Sequence, residues 1–415
     1  MLFRITYNLI LGLSYPVLKF LGLFSDKLRL FVSGRREVFN HLESQGVNKG
    51  DWVWFHVASL GEFEQARPLI LEHKLAFPQL KILLTFFSPS GYEIQKNFSV
   101  ADCICYLPWD TQRNVNRFLN FCNLNRAIFV KYEFWLNYFD GLSKRKIPVY
   151  HVSSIFRQNQ LFFKSYGKAY RSILYGVKHF FVQNDESKKL LNSIGIDRVS
   201  ISGDTRIDRV YYLTQNHEQL EIIEKFLNNQ ECFVAGSTWP DDYKLMDTFL
   251  KKTTPIKIII APHEVSKQSI KNLEKRIAIP YTKWSNFDEE RAVDKALMIV
   301  DTIGQLAKIY RYAKFAYVGG GMKKSGLHNT LEPAAYGIPI IIGKYFDKFQ
   351  EAILLEKKGG IKSVKSSEGF EKISKTLIND EKLVERIGKI NKDYVKLGRG
   401  ATQHIIETII KYGIK

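Results

Sequence analysis

Apolar residues fall along this chain in two rhythms. Short runs that are apolar almost throughout recur at intervals, and between them lie longer segments whose apolar positions return every three or four residues. The first rhythm suits strands buried on both faces and the second suits covering helices, so the alternation predicts an α/β protein built on parallel sheets. Strands are expected at Trp52 to Val57, Ile82 to Phe87, Asp102 to Tyr106, Arg126 to Val130, Val149 to Val152 and Phe180 to Val182. A second series begins near Val199: Val199 to Ser202, Glu231 to Ala235, Ile256 to Ile260, Ala296 to Val300, Phe315 to Val318 and Ile338 to Ile342. Two Rossmann-like units in tandem, joined around Gly203 to Gln219, are the economical reading.

The two ends depart from this pattern. Ile5 to Phe24 is mostly apolar and about as long as the roughly 20 residues a helix needs to span a bilayer, although Asn8, Pro16 and Lys19 interrupt it. Ser25-Asp26-Lys27 follows directly, without a cleavage site. Lys27, Arg29, Arg35 and Arg36 come after the run and only Arg4 precedes it, a bias that keeps the body of the chain cytoplasmic. Membrane attachment is expected, spanning or interfacial; a soluble hydrophobic helix is the plainer alternative. The last helix, about Ala401 to Tyr412, gathers Ile405, Ile406, Ile409 and Ile410 on one side and must pack on something.

A chain of 415 residues with 45% hydrophobic content is folded and long enough for two cores. Its 61 Lys and Arg against 42 Asp and Glu leave +19, which attracts polyanions such as nucleic acid, anionic headgroups or phosphorylated substrates. No RNP, zinc-finger or helix-turn-helix pattern supports a nucleic-acid partner. Cys103, Cys105, Cys122 and Cys232 lack CxxC spacing and histidine partners, which points to a reducing compartment and no structural metal.

Candidate chemistry lies where strands end. After Trp54-Phe55-His56-Val57 the chain turns at Ser59-Leu60-Gly61 and enters a helix in which Phe63, Ala66, Ile70 and Leu71 share a face. Glu62, in its first turn, has two readings: a carboxylate at the ligand-binding edge of an open sheet, or a complement to the helix dipole. Lys131 and Glu133 follow another strand and read either as site residues or as a structural pair. In the second series Gly236-Ser237-Thr238, Pro262-His263-Glu264 and Gly319-Gly320-Gly321 each follow a strand; glycine loops and helix starts suit phosphates. If these strands share a parallel sheet, the three turns converge on one edge. Glu332, beyond the triple-glycine loop, could accept hydrogen bonds from ribose or be a buried helix carboxylate. The spacing is neither that of a dinucleotide fingerprint nor of a P-loop.

Together, His56-Val57-Ala58-Ser59-Leu60-Gly61-Glu62, Glu133-Phe134-Trp135, Asp301-Thr302-Ile303-Gly304 and the Gly319-Gly320-Gly321 loop with His328-Asn329-Thr330-Leu331-Glu332-Pro333 resemble the 3-deoxy-D-manno-octulosonic acid (Kdo) transferases of lipopolysaccharide synthesis. The resemblance runs through nearly the whole chain with the motifs in order. It implies a GT-B fold, two Rossmann-like domains facing a cleft, with an N-terminal membrane-associated helix. The implied divisions are 1–24 as membrane anchor or interfacial helix, 25–205 as acceptor domain, 206–398 as donor domain and 399–415 as a C-terminal helix that packs back on the first domain. The implied activity is inverting transfer of Kdo from CMP-Kdo to the lipid A precursor (lipid IVA), without metal or other cofactor. It would take place at the cytoplasmic face of the inner membrane, with anionic lipid as a further partner. A GT-B transferase using another nucleotide sugar is the alternative. Glu62 matches the family's general base, and Lys131 and Glu133 would orient the acceptor. Arg206, Gly236, Ser237, His263, Gly304, Gly320, Asn329 and Glu332 would bind the donor. Departures are Lys131 where many relatives carry a carboxylate, Leu136 in place of a proline, the missing arginine after Pro262, and Leu327 in place of a glycine.

Overall fold

The structure, a computed structural model, describes residues 2–215, 218–324 and 326–413. The chain divides into two compact units, Met1–Arg209 with Gly400–Lys415, and Val210–Arg399.

The sheet of the first unit comprises β1 (Trp52–Val57), β2 (Lys81–Phe86), β3 (Cys103–Tyr106), β4 (Leu124–Val130), β5 (Val149–Ser154), β6 (His179–Val182) and β7 (Val199–Ile201). Its order is β3-β2-β1-β4-β5-β6-β7, with every pairing parallel. Val199 therefore does not open the second series: β7 pairs with β6 at the edge of the first sheet. A run of three residues announces a strand, but periodicity cannot say which sheet it joins. β1 shows why continuous apolar strands belong here, because Trp52 and Trp54 enter one core while Val53, Phe55 and Val57 enter the other. The second of these cores also takes Ile405, Ile406 and Ile409 of the C-terminal helix Ala401–Gly413, which packs on the Leu60–Ala76 helix. Asp208 fixes that last helix, its carboxylate accepting the N–H groups of Gly400 and Thr402 at 2.7 Å each. Leu71, expected on the buried face of the Leu60–Ala76 helix, is 41% exposed; Phe63, Ala66, Leu69, Ile70 and His73 form that face instead.

The N-terminal helix, Leu2–Leu21, lies against the first unit through its polar side. Arg4 pairs with Asp140 at 2.9 Å, the Tyr7 hydroxyl donates to Asp110 at 2.6 Å, and Asn137 donates to Asn8 at 2.8 Å. Leu9, Ile10, Leu13, Val17 and Phe20 face outward, each more than half exposed. Among the described residues no helix is long and apolar enough to cross a membrane. The spanning alternative falls for that reason, since the polar residues that dock this helix also dilute its hydrophobicity.

The second unit repeats the plan with β8 (Cys232–Thr238), β9 (Lys257–Pro262), β10 (Tyr281–Lys283), β11 (Leu297–Ile299), β12 (Ala313–Val318), β13 (Ile340–Ile342) and β14 (Ile361–Ser363). The order is β10-β11-β9-β8-β12-β13-β14, again parallel throughout. β10 and β14, the two edges, escape the sequence pattern because each is three residues long and carries a lysine. In each sheet the order reverses beside the first strand, between β1 and β4 and between β8 and β12. Such switch points are where open α/β sheets receive ligands, outside the carboxyl ends of the strands.

Candidate functional site

Glu62 and Glu133 stand at the first of these switch points, after β1 and β4. Glu62 begins the Leu60–Ala76 helix and is 8% exposed. Its Oε2 accepts the Ala58 N–H at 2.6 Å, so it does close the helix start. Burial, then the charge of Glu133, push its carboxyl up to about 8, against the pull of the Ala58 N–H and Lys131. A carboxylate held this basic takes up a proton near neutral pH, which a helix cap has no need to do.

Lys131 follows β4 with φ +64°, a left-handed backbone that a non-glycine residue adopts only where its surroundings hold it. Its charge acts on both Glu62 and Asp204. Glu133 is nearly buried and its Oε2 accepts from Trp135 Nε1 at 2.8 Å and lies 3.0 Å from His56 Nε2. Arg206, nominated for the donor side, lies in the first unit and grips Asp204, with Nε 2.9 Å and Nη2 2.6 Å from Oδ2. Burial alone would raise Asp204; Arg206 and Lys131 hold it below the usual carboxylate range instead. Glu62, Lys131, Glu133 and Arg206 thus gather in one unit as two carboxylates among basic groups.

In the second unit the turns after β9, β8 and β12 are neighbours, because those strands lie side by side. Gly236, Ser237 and Thr238, expected in the turn, are instead the last residues of β8; Ser237 takes φ +52° there, and a Cβ on Gly236 would fall 2.0 Å from the Tyr310 hydroxyl. Gly320 has φ +90° and donates its N–H to Asp242 at 3.0 Å. Asn329 donates to Glu332 at 3.2 Å, and its own oxygen accepts the Leu331 N–H at 3.1 Å at the start of the Leu331–Ala335 helix. His263 stacks against both Trp239, ring centroids 4.5 Å apart, and His328, 4.4 Å apart, and the latter two also face one another at 6.3 Å. Burial lowers His263, and burial with His263 beside it lowers His328 to about 4, so both rings are neutral at neutral pH. Trp239 Nε1 donates to His328 Nε2 at 2.9 Å, which fits that neutral state. Gly304 follows β11, one strand further out, with φ +95°.

Two features of this unit were not found from the sequence. Asp242, fully buried, accepts from the Tyr317 hydroxyl at 2.7 Å, the Trp239 N–H at 2.8 Å and the Gly320 N–H, tying the β8 and β12 loops together. A pocket of about 540 Å³ opens beside Trp239 and Tyr243 and is lined by Lys275, Arg276 and Lys323. Lys323 belongs to the basic turn after the triple-glycine loop, whereas nothing in the sequence marks Lys275 and Arg276. Among the described residues no group of three His, Cys, Asp or Glu could hold a metal ion.

Residues 33–209, within the first unit, match the family model described as 3-deoxy-D-manno-octulosonic-acid transferase (kdotransferase). The chain is 25% identical to the 3-deoxy-D-manno-octulosonic acid transferase of Haemophilus influenzae, over 99% of both chains. Identity reaches 29% with that of Aquifex aeolicus, over 76% of this chain and 82% of the relative. Among solved structures, UDP-GlcNAc 2-epimerase from Neisseria meningitidis superposes with a TM-score of 0.61 at 16% identity, over 87% of this chain and all of that one. At that identity the likeness shows the fold alone, the GT-B class of paired Rossmann-like units. The family match on the unit that holds Glu62, and relatives aligned along most of the chain, support the Kdo transferase family of glycosyltransferases in lipopolysaccharide synthesis.

Proposed function

We propose that the protein transfers Kdo from CMP-Kdo to the lipid A precursor, lipid IVA, at the cytoplasmic face of the inner membrane. The observation that carries this reading is the basic, buried Glu62 at the first switch point of a Kdo transferase chain. Glu62 takes the proton from the acceptor sugar hydroxyl as that oxygen attacks the anomeric carbon of Kdo from the face opposite the phosphate. The new bond forms as the bond to CMP breaks, with inversion and no covalent intermediate. Lys131 and Arg206 supply positive charge around this carboxylate, suited to an acceptor that carries two phosphates. Glu133 orients the acceptor.

On the donor side, Gly236, Ser237 and Gly320 bring backbone close to a phosphate, Glu332 with Asn329 accepts from the ribose, and His263 offers a neutral ring rather than a cation. Gly304 sits at the outer end of this row. The leaving phosphate meets dipoles already in place, which is where such sites gain most of their rate. The outward apolar stripe of the N-terminal helix lies in the headgroup region of an anionic leaflet, with Lys19, Lys27 and Arg29 beside it.

The test is Kdo transfer from freshly made CMP-Kdo to lipid IVA by the native protein and by Glu62→Gln, both shown to be folded. A loss of about 10²- to 10⁴-fold in the variant is expected. Full activity in the variant would remove Glu62 as the base, and product from UDP-sugars but not CMP-Kdo would favour the alternative donor.

A further inference from the structure

The contacts of Glu133 lead to a residue with no part in the scheme above. His56, fully buried in β1, reaches Glu133 Oε2 with Nε2 at 3.0 Å. Its other ring nitrogen, Nδ1, lies 2.8 Å from Thr85 Oγ1 on β2, which also accepts from Trp54 Nε1 at 2.8 Å. Trp135 Nε1 completes the line by donating to the same Oε2. With Nε2–H directed at Glu133, Nδ1 accepts the Thr85 hydroxyl at 2.8 Å, the shorter of its two contacts on Thr85, and the Trp135 N–H, 3.2 Å from Nε2, turns to Oε2 at 2.8 Å. One imidazole thus ties β1, β2 and the loop after β4, three elements of the switch point.

A buried histidine with two partners is ordinarily just a satisfied core residue. Two features go beyond that. The partner at Nε2 is the carboxylate whose charge bears on Glu62, and both donors meet the same oxygen. Both of these contacts fall on Oε2, so together they restrict rotation of the carboxylate and leave Oε1 to the acceptor side.

We propose that His56 is a positioning residue for the transfer reaction, its Nε2–H holding the Glu133 carboxylate so that Oε1 aligns the acceptor hydroxyl for Glu62. The proposal rests on the transfer reading. It requires no proton movement through the imidazole, since the ring acts on Glu133 and does not touch substrate.

The test compares His56→Gln with His56→Asn. A glutamine amide reaches the place of Nε2 and can still donate to Glu133, whereas asparagine ends near the place of Nδ1 and keeps only the Thr85 contact. We expect His56→Asn to lose about 10²-fold in kcat, the effect of roughly 1 Å of misplacement, with the donor KM unchanged. His56→Gln should keep most of the activity. In a Glu133→Gln background His56→Asn should add almost nothing, because residues acting as one unit are not additive. The indole N–H resonance of Trp135, assigned by its loss in Trp135→Phe, should move in His56→Asn and stay in His56→Gln. Equal losses in both variants, an undiminished loss in the Glu133→Gln background, or an unmoved indole resonance would overturn the proposal. If the native protein made no Kdo product, the transfer reading would fail, and the indole resonance would still decide whether His56 holds Glu133.

Discussion

The carboxylate of Glu133 makes that of Glu62 a stronger base: after burial, its charge is the largest influence pushing Glu62 up to about 8. Glu62 abstracts a proton only when ionised, so the rate should climb with pH and level off above about pH 8. Glu133→Gln removes the like charge while burial and Lys131 remain. The rising limb of the kcat profile should therefore move to lower pH, even as the rate falls from the loss of acceptor alignment. A limb that stays in place would separate the two carboxylates.

The same shift makes Glu62 costly to the fold. A carboxyl raised from 4.5 to about 8 lends stability that is full below its ordinary value and is lost as pH rises through the folded one. Glu62→Gln escapes that loss, so it should be more stable than the native protein at about pH 9 by on the order of 1–3 kcal/mol, read as a higher thermal midpoint, and converge with it near about pH 5. Asp110, pushed up to about 7 by burial, destabilises both proteins over an overlapping range and cancels in the comparison. A difference independent of pH would assign the effect to packing instead.

The position of Glu62 at the end of β1 was legible because strand, turn and helix follow one another within ten residues, while its proposed role came from the resemblance. The same holds for Gly236 and Gly320, whose strands are continuous apolar runs. Asp242 and Asp208 were not, since each sits in a polar segment and meets its partners only after folding: Gly320 lies 78 positions away and Gly400 lies 192. Lys275 and Arg276 fail for a related reason, as a basic helix end looks the same over a pocket as over solvent. β7 was visible as a strand but not as a member of the first sheet, because hydrophobic period carries no pairing information.

Asp242 is the point at which loop geometry in the second unit can be tested. Burial raises its carboxyl, yet three donors converge on it, one from each of Trp239, Tyr317 and Gly320. Asp242→Ala leaves two buried backbone N–H groups and a hydroxyl without partners, at about 1–3 kcal/mol each, and frees the β8 and β12 loops from one another. We expect CMP to bind at least about tenfold more weakly by calorimetry, with the Glu62 rate profile keeping its pH dependence. Unchanged CMP affinity in a folded variant would dissociate these loops from the nucleotide.

The N-terminal helix gives a prediction of another kind. Leu9, Leu13, Val17 and Phe20 recur at four, four and three residues, so they form one stripe, and each is 54–70% exposed although it is apolar. The opposite side is held to the first unit by Arg4, Tyr7 and Asn8, which fixes the direction the stripe faces. Moving such side chains from water into the headgroup boundary gains up to about 1.5–3 kcal/mol apiece, and Lys19, Lys27 and Arg29 add roughly 1 kcal/mol each near an anionic leaflet. The native protein should therefore sediment with vesicles containing phosphatidylglycerol, less so in high salt. Leu13→Asp with Val17→Asp should abolish most of that binding, because two charges would enter the apolar side. The Arg4–Asp140 pair lies on the docked side and should be unaffected, so transfer to a water-soluble, deacylated acceptor should persist in the variant. Equal vesicle binding by both proteins would show that some other surface meets the membrane.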